Sequence, residues 1–286
     1  RAAVLVDNLV KWGYANCCIT NNDPKDFTQL ENHFDLILVD APCSGEGMFR
    51  KDHNAIAEWS IDNVALCAGR QQRIIDDVLP ALKEGGYLIY STCTFNQQEN
   101  ISNVAEYVEK YKLRSVEIAL PAAWNMVEIS ANNCKGYQCM PGFTRGEGYF
   151  FSVLQKPMGN NVPDFQQSKA HKLRTINKAE KSILDLWINP DYLTDVQIHE
   201  NGDVYYFPTT LTPFLFLYLK MLHVKNAGIK LGKLNKTVFT PDHSVALTHL
   251  PILKSPKIEL SKDDALRYLN KTLSQVNHPQ NVWLVV

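Results

Sequence analysis

The chain lacks any apolar run approaching the roughly 20 residues that a membrane-spanning helix needs, and its 286 residues carry a net charge of only -1. Its opening, Arg1-Ala-Ala-Val-Leu-Val6, is without the layout of a secretory signal. These absences lead to the expectation of a soluble, cytoplasmic, monomeric protein with no membrane partner. The seven cysteines are odd in number and include no C-x-x-C pair, which argues for reduced thiols, against a disulfide framework, and against a zinc site. No metal is expected. No internal repeat or low-complexity tract is visible, so a solenoid is excluded. No Gly-x-Gly segment precedes Asp23.

What is present is a globular composition, 45% hydrophobic, long enough for two domains. The small net charge hides an asymmetry. Residues 1–157 hold 14 basic against 19 acidic side chains, and residues 158–286 hold 15 against 11. Lys220, Lys225, Lys230, Lys233 and Lys236 lie in a span with no acidic residue, which suits phosphate attraction; a solvated lysine face is the other reading. Gln155 to Gln167 is polar and carries Pro157, Gly159 and Pro163, the composition of a domain boundary. The expected division is 1–157, a linker at 158–177, and a small α+β domain at 178–286.

Periodicity supplies the elements. Arg1 to Trp12 spaces Val4, Leu5, Leu9 and Trp12 as a helix that Gly13 stops. Cys17 to Thr20 is a short strand followed by the turn Asn21-Asn-Asp-Pro24. Ser60 caps a helical pattern running from Ile61 to Lys83, ended by Gly85-Gly86, and Gln97 to Tyr111 is an amphipathic helix. Leu113 to Ile118 and Gly148 to Leu154 form a further strand pair. Beyond the boundary, Lys178 to Ile188 and Ser261 to Thr272 read as helices, the latter with Ser261 and Asp264 as its capping pair. Val196 to Phe207 reads as a hairpin turning at Asn201-Gly202 with a type I′ geometry.

Two cysteines carry the chemistry. Cys43 follows the apolar strand Phe34-Asp-Leu-Ile-Leu-Val39, and Cys93 follows Tyr87-Leu-Ile-Tyr90. Both runs read as buried parallel strands, and ligands of open α/β sheets bind outside the strands' carboxyl ends. The two thiols are therefore expected in one crevice. The bland reading, small buried residues, suits Cys17, Cys18 and Cys67, which receive no role.

Asp40-Ala-Pro-Cys43-Ser-Gly-Glu-Gly47, Arg50-Lys51-Asp52 and Ser91-Thr-Cys93-Thr-Phe95 resemble the Nol/Nop/Sun family of RNA cytosine-5 methyltransferases, closest to its bacterial RsmF-like rRNA branch. Met140 to Phe150 is similar to the family's last core strand, and Ala227-Gly-Ile-Lys-Leu-Gly232 to part of the branch's RNA-binding region. The resemblance implies an α/β fold: an incomplete Rossmann-like class I methyltransferase sheet, strands three to seven of the order 3-2-1-4-5-7-6, followed by a small α+β RNA-binding domain. Cys17 to Thr20 would be strand three. The glycine-rich cofactor loop and the acidic ribose partner are not found, so the chain reads as a fragment whose activity belongs to a longer parent.

The same resemblance implies S-adenosyl-L-methionine as cofactor and RNA, most closely small-subunit rRNA, as substrate. Cys93 would be the nucleophile that adds to cytosine C6, and Cys43 would assist product release. Asp40 would steady the pyrimidine N3/N4 edge beside the cofactor, and Asp23 would contact the adenine; an aspartate that merely organises its own turn is the competing reading. Arg50, Lys51 and Arg145 are candidate phosphate contacts, as are Lys230, Lys233 and Lys236 in the basic half. A non-catalytic RNA-binding or assembly factor, and the same chemistry on tRNA, remain alternatives. A DNA cytosine-5 methyltransferase does not require Cys93.

Overall fold

The first helix, α1 (Ala2–Trp12), ends at Gly13, whose φ of 75° and whose contact with the Leu247 carbonyl, 2.2 Å from where a Cβ would sit, admit only glycine. Its apolar stripe is not a core face: Val4, Leu5 and Trp12 are exposed. The computed structural model describes residues 2–159, 173–252, 254, 257–272 and 283–285. It divides into two units, one of Asn22–Phe165 and one of Arg1–Asn21 with Gln166–Val286. The next strand, β1 (Cys18–Thr20), departs from expectation. It is not strand three of the methyltransferase sheet but pairs antiparallel with Val224–Ala227. A strand's N–H and C=O groups must find partners, and Val224–Ala227, in the same unit as β1, supplies them.

The 22–165 unit is built on a six-stranded mixed sheet. β2 (Phe34–Asp40) and β3 (Leu82–Thr92) run parallel, in register from Leu36 opposite Tyr87 to Asp40 opposite Ser91. Parallel neighbours need a crossover, which α2 (His53–Glu58) and α3 (Ile61–Val78) provide. Ser60 caps α3 by accepting from Asn63 N. α3 stops before Pro80, short of the expected Lys83, and Leu82 already belongs to β3. A π-turn at Gln98–Ser102 leads into α4 (Asn103–Tyr111). β4 (Arg114–Ser115) follows, then β5 (Val127–Ala131) and β6 (Cys134–Cys139), and β7 (Tyr149–Gln155) inserts antiparallel between β3 and both β4 and β6. The spatial order β2-β3-β7-β4 is the 4-5-7-6 order expected for the last four strands. The β5–β6 hairpin is an addition, turned by Asn132 and Asn133 at φ of 49° and 61°.

Ile75, Leu82, Leu88, Val104, Phe150 and Leu154 fill the core between sheet and helices. Each such side chain contributes roughly 1.5–3 kcal/mol by burial. Tyr90 and Tyr107 meet edge to face with ring centres 5.4 Å apart. β2 is the sheet's edge among the described residues, and Leu36 and Leu38 remain 52% and 57% exposed.

The other unit holds a five-stranded antiparallel sheet in the spatial order Val238–Pro241, Ile229–Asn235, Asp203–Tyr206, Val196–His199 and Leu173–Thr175. Of the expected linker, residues 160–172 lie outside the described residues, and Leu173–Thr175 are not linker but strand β8. α5 (Lys178–Leu184) is opened by a capping box of Asn177 and Glu180. β9 (Val196–His199) and β10 (Asp203–Tyr206) form the expected hairpin. Its loop is three residues, Glu200 to Gly202, with only Gly202 at positive φ, so the type I′ expectation gives way to a turn whose last residue is left-handed. α6 (Thr212–Met221), β11 (Val224–Ala227), β12 (Ile229–Asn235) and β13 (Val238–Pro241) follow. β14 (Lys257–Glu259), α7 (Lys262–Leu269), capped by Ser261 and Asp264, and β15 (Trp283–Val285) come last.

Candidate active site at the cysteine pair

Because β2 and β3 are adjacent and parallel, the loops leaving their carboxyl ends run side by side. They bring Cys43 Sγ within 2.9 Å of Cys93 Sγ, with both residues half-buried. The two loops are tied by backbone: Ala41 N donates to Ser91 O at 2.9 Å, and Gly47 N to Cys93 O at 2.8 Å. A Cβ on Gly47 would stand 2.5 Å from that carbonyl and 2.8 Å from Gly148 O, so the approach requires glycine.

The two thiols differ in acidity. The hydrogen bond between them lowers the Cys93 pKa to about 7 against the opposing effect of burial. The same hydrogen bond, with burial, drives the Cys43 pKa upward. Cys93 is thus the thiol of the pair that ionises first, and Cys43 the one that keeps its proton longer.

Two buried carboxylates hold this arrangement, and neither stands out in the sequence. Glu46, on the Cys43 loop, accepts from Phe95 N at 2.7 Å and Asn96 N at 2.8 Å on the Cys93 loop, and from Trp59 Nε1 at 3.0 Å. Glu99, in the π-turn after the Cys93 loop, is fully buried and accepts from Ser44 N at 3.0 Å on the Cys43 loop. It also accepts from Gln71 Nε2 and Asn96 Nδ2, each at 2.7 Å. Each loop therefore presents a carboxylate to the amides of the other, and Asn96 bonds to both. Buried acceptors of this kind are satisfied by charge-assisted bonds. The motif spacing carries the signal only faintly, since an exposed Glu has the same letters.

Asp40 ends β2 beside this pair, exposed, with Ser91 Oγ 3.5 Å from its carboxylate. It borders a cleft of about 480 Å³ along β2, walled by Phe27, Leu36, Leu38, Ile74 and Val78, with Asn22 at one end. Asp23 is exposed next to that cleft but not among its walls. It caps the turn Pro24–Gln29 through Lys25 N and lies 3.5 Å from Arg73 Nη1, so its turn-organising role is realised.

Residues 1–155 match the family model described as 16S rRNA methyltransferase RsmB/F. The chain belongs to this family. Ribosomal RNA small subunit methyltransferase F of Vibrio vulnificus is 30% identical over 87% of the chain and 53% of that protein. The protein of the same name from Shewanella piezotolerans is 31% identical over the whole chain and 61% of its own length. The RsmB/F chain thus spans little more than half the length of these relatives. Among solved structures, NSun6 from Pyrococcus horikoshii with SFG aligns at 25% identity with a TM-score of 0.39, covering 48% of this chain and 33% of that one. A methyltransferase homolog protein from the same organism aligns at 27% with a TM-score of 0.38, covering 47% and 43%.

The basic pair that follows the Cys43 loop shares a single carboxylate partner. Arg50 Nη2 lies 2.7 Å and Lys51 Nζ 3.6 Å from Glu147 Oε1, and Arg50 also donates to Gly146 O. Arg145 is exposed two residues away. In the second unit Lys230 is held by Asp203 at 3.1 Å, with Asp242 at 4.0 Å, whereas Lys233 and Lys236 are exposed. No cluster of three metal-binding side chains occurs among the described residues, and no helix there is long and apolar enough to cross a membrane.

Proposed function

We propose that the protein methylates cytosine C5 in RNA, with small-subunit ribosomal RNA as substrate, through a covalent bond from Cys93 to C6. The observation that carries this reading is the juxtaposition of two thiols 2.9 Å apart at the ends of adjacent parallel strands. C5 of cytosine is a poor nucleophile, and adding a thiolate at C6 converts it into an enamine-like carbon. The Cys93 sulfur forms the S–C6 bond while the C5–C6 π pair moves toward C5, and a proton or hydrogen bond at N3 relieves the charge in the ring. Asp40, at the end of β2, is the residue that this reading assigns to the N3/N4 edge.

S-adenosyl-L-methionine supplies the methyl group when bound. The β2 cleft suits part of it: apolar walls for a base, with Asn22 and Asp40 in the lining and Asp23 adjacent in the chain. No glycine lines that cleft, so a glycine-rich backbone cradle is not contributed by these residues. After methyl transfer, C5 must lose its hydrogen as a proton before the S–C6 bond can break and return the thiolate. Once the adduct forms, Cys43 loses the acceptor that held its proton; it gives that proton to water, and the Cys43 thiolate then takes the C5 proton while the C5–H pair forms the C5–C6 double bond and the S–C6 pair returns to Cys93. The target base must leave its stack to enter, which favours loops over stable duplex. The RNA class follows the names of the relatives.

The test is transfer of labelled methyl from S-adenosylmethionine to small-subunit rRNA. Cys93→Ala should abolish it; retained methylation in that variant would end the proposal. Transfer to tRNA with rRNA inert would keep the chemistry and replace the substrate.

A further inference from the structure

A second cavity lies in the unit of residues 166–286, on the sheet face turned away from its core. Val196, Ile198, Val204 and Tyr206 of β9 and β10 point into the core. The alternate residues Gln197 and Tyr205 stand opposite each other in register on the other face. Leu215 and Leu219 of α6 and the strand β11 close over them, leaving about 210 Å³. Gln197 lines this space at 4% exposure, and its side-chain amide makes no hydrogen bond among the described residues. The amide is open to the cavity and is not one of the sealed polar groups without a partner among the described residues, so a ligand with a matching edge would replace its water by direct hydrogen bonds. Asn226, also in the wall, is different: its amide donates to Gly228 O at 3.3 Å. Lys225 at the wall is exposed and belongs to the acid-free lysine run.

We propose that this cavity receives a single unstacked adenine of a single-stranded RNA segment, with Gln197 reading its edge and Lys225 meeting an adjoining phosphate. The proposal rests on the RNA reading above and adds a base-specific subsite remote in sequence from the cysteines. A carboxamide offers one donor and one acceptor side by side, the pattern that pairs with adenine's amino group and neighbouring ring nitrogen. Tyr205 and Phe207 supply aromatic surface for stacking. The volume lies below that of pockets for drug-sized ligands, so one ring system fits better than a peptide or a whole nucleotide.

Fluorescence anisotropy of the protein with short single-stranded RNAs tests this, each position being replaced in turn by an abasic unit. One adenine position should lower affinity at least about 5-fold when made abasic, the lower end for a stacked base. Gln197→Leu should erase the preference for adenine over uracil there while leaving the salt dependence unchanged. Lys225→Ala should keep the preference and reduce the slope of log affinity against log salt by about 0.7. Should Gln197→Leu fail to fold, adenosine monophosphate added to the unaltered protein should shift the Tyr205 ring resonances, and cytidine monophosphate should not. RNA binding that is insensitive to every abasic replacement overturns this proposal alone; no RNA binding by the unaltered protein overturns the functional reading as well.

Discussion

Replacing Glu99 by Gln changes one oxygen of a fully buried side chain into an NH2 group, and the surrounding hydrogen bonds determine what that group would meet. All three partners of the carboxylate are donors: Ser44 N, Gln71 Nε2 and Asn96 Nδ2. Gln71 cannot turn its oxygen toward the new amide, because that oxygen already accepts from Tyr90 OH at 2.8 Å and Asn103 Nδ2 at 2.9 Å. Either orientation of the new Gln therefore sets donor against donor and loses at least one charge-assisted bond, worth about 1.5–3 kcal/mol, with a buried donor left over. The expected cost is about 3 kcal/mol. For a domain of this size that is a fall in melting temperature on the order of 6–12 °C. Thermal unfolding followed by circular dichroism measures it, and iodoacetamide labelling of the folded variant reports whether the thiols have separated. A melting temperature within about 2 °C of the unaltered protein would refute the claim that Glu99 acts as an obligate acceptor clamping the cysteine loops.

Removing the Cys43 thiol by Cys43→Ala should move the pH midpoint of Cys93 alkylation from about 7 up toward the ordinary thiol value of 9. Since a depressed pKa stabilises the fold above the unfolded value and that contribution is lost as pH falls through the folded one, the variant should also show a smaller stability gain between pH 7 and pH 9. Glu147→Gln should release Arg50 and Lys51, strengthen RNA binding and steepen the salt slope by up to about 1.4, two single-strand phosphate contacts' worth; weaker binding would mean that the pair serves structure. Lys233→Ala with Lys236→Ala should flatten the slope by about 1.4, whereas Lys230→Ala, already paired with Asp203, should change it far less. An unchanged slope in the double variant would make those lysines a solvated face.

Elements that depend only on neighbours along the chain are legible in the sequence. Ser60 caps α3, Gly13 stops α1, and the strand runs ending at Asp40 and Thr92 pair in parallel, because capping, positive φ and an apolar run are local properties. The convergence of Cys43 and Cys93 follows from strand topology. What stays hidden depends on distant packing. Glu46 and Glu99 have the letters of ordinary surface carboxylates until the loops fold over them, and a π-turn that aims Glu99 inward has no distinct letter pattern. The stripe on α1 has helical spacing yet little to cover it, and β1 pairs with β11 where a parallel partner is expected. Asn132-Asn133, between β5 and β6, carries a hairpin signal of the same kind as Asn201-Gly202, but the strands flanking it are short and lack a clean alternation of apolar and polar residues.

The division of labour between the cysteines is tested most directly by intact mass of the protein after incubation with small-subunit rRNA and S-adenosylmethionine followed by nuclease digestion. Cys43→Ala should accumulate a species heavier by a methylated nucleotide remnant, with the modified peptide containing Cys93, because the S–C6 bond forms but is not released. Cys93→Ala should show no such species. An adduct on Cys43, or one that persists in the Cys93→Ala protein, would contradict the assignment of Cys93 as the nucleophile.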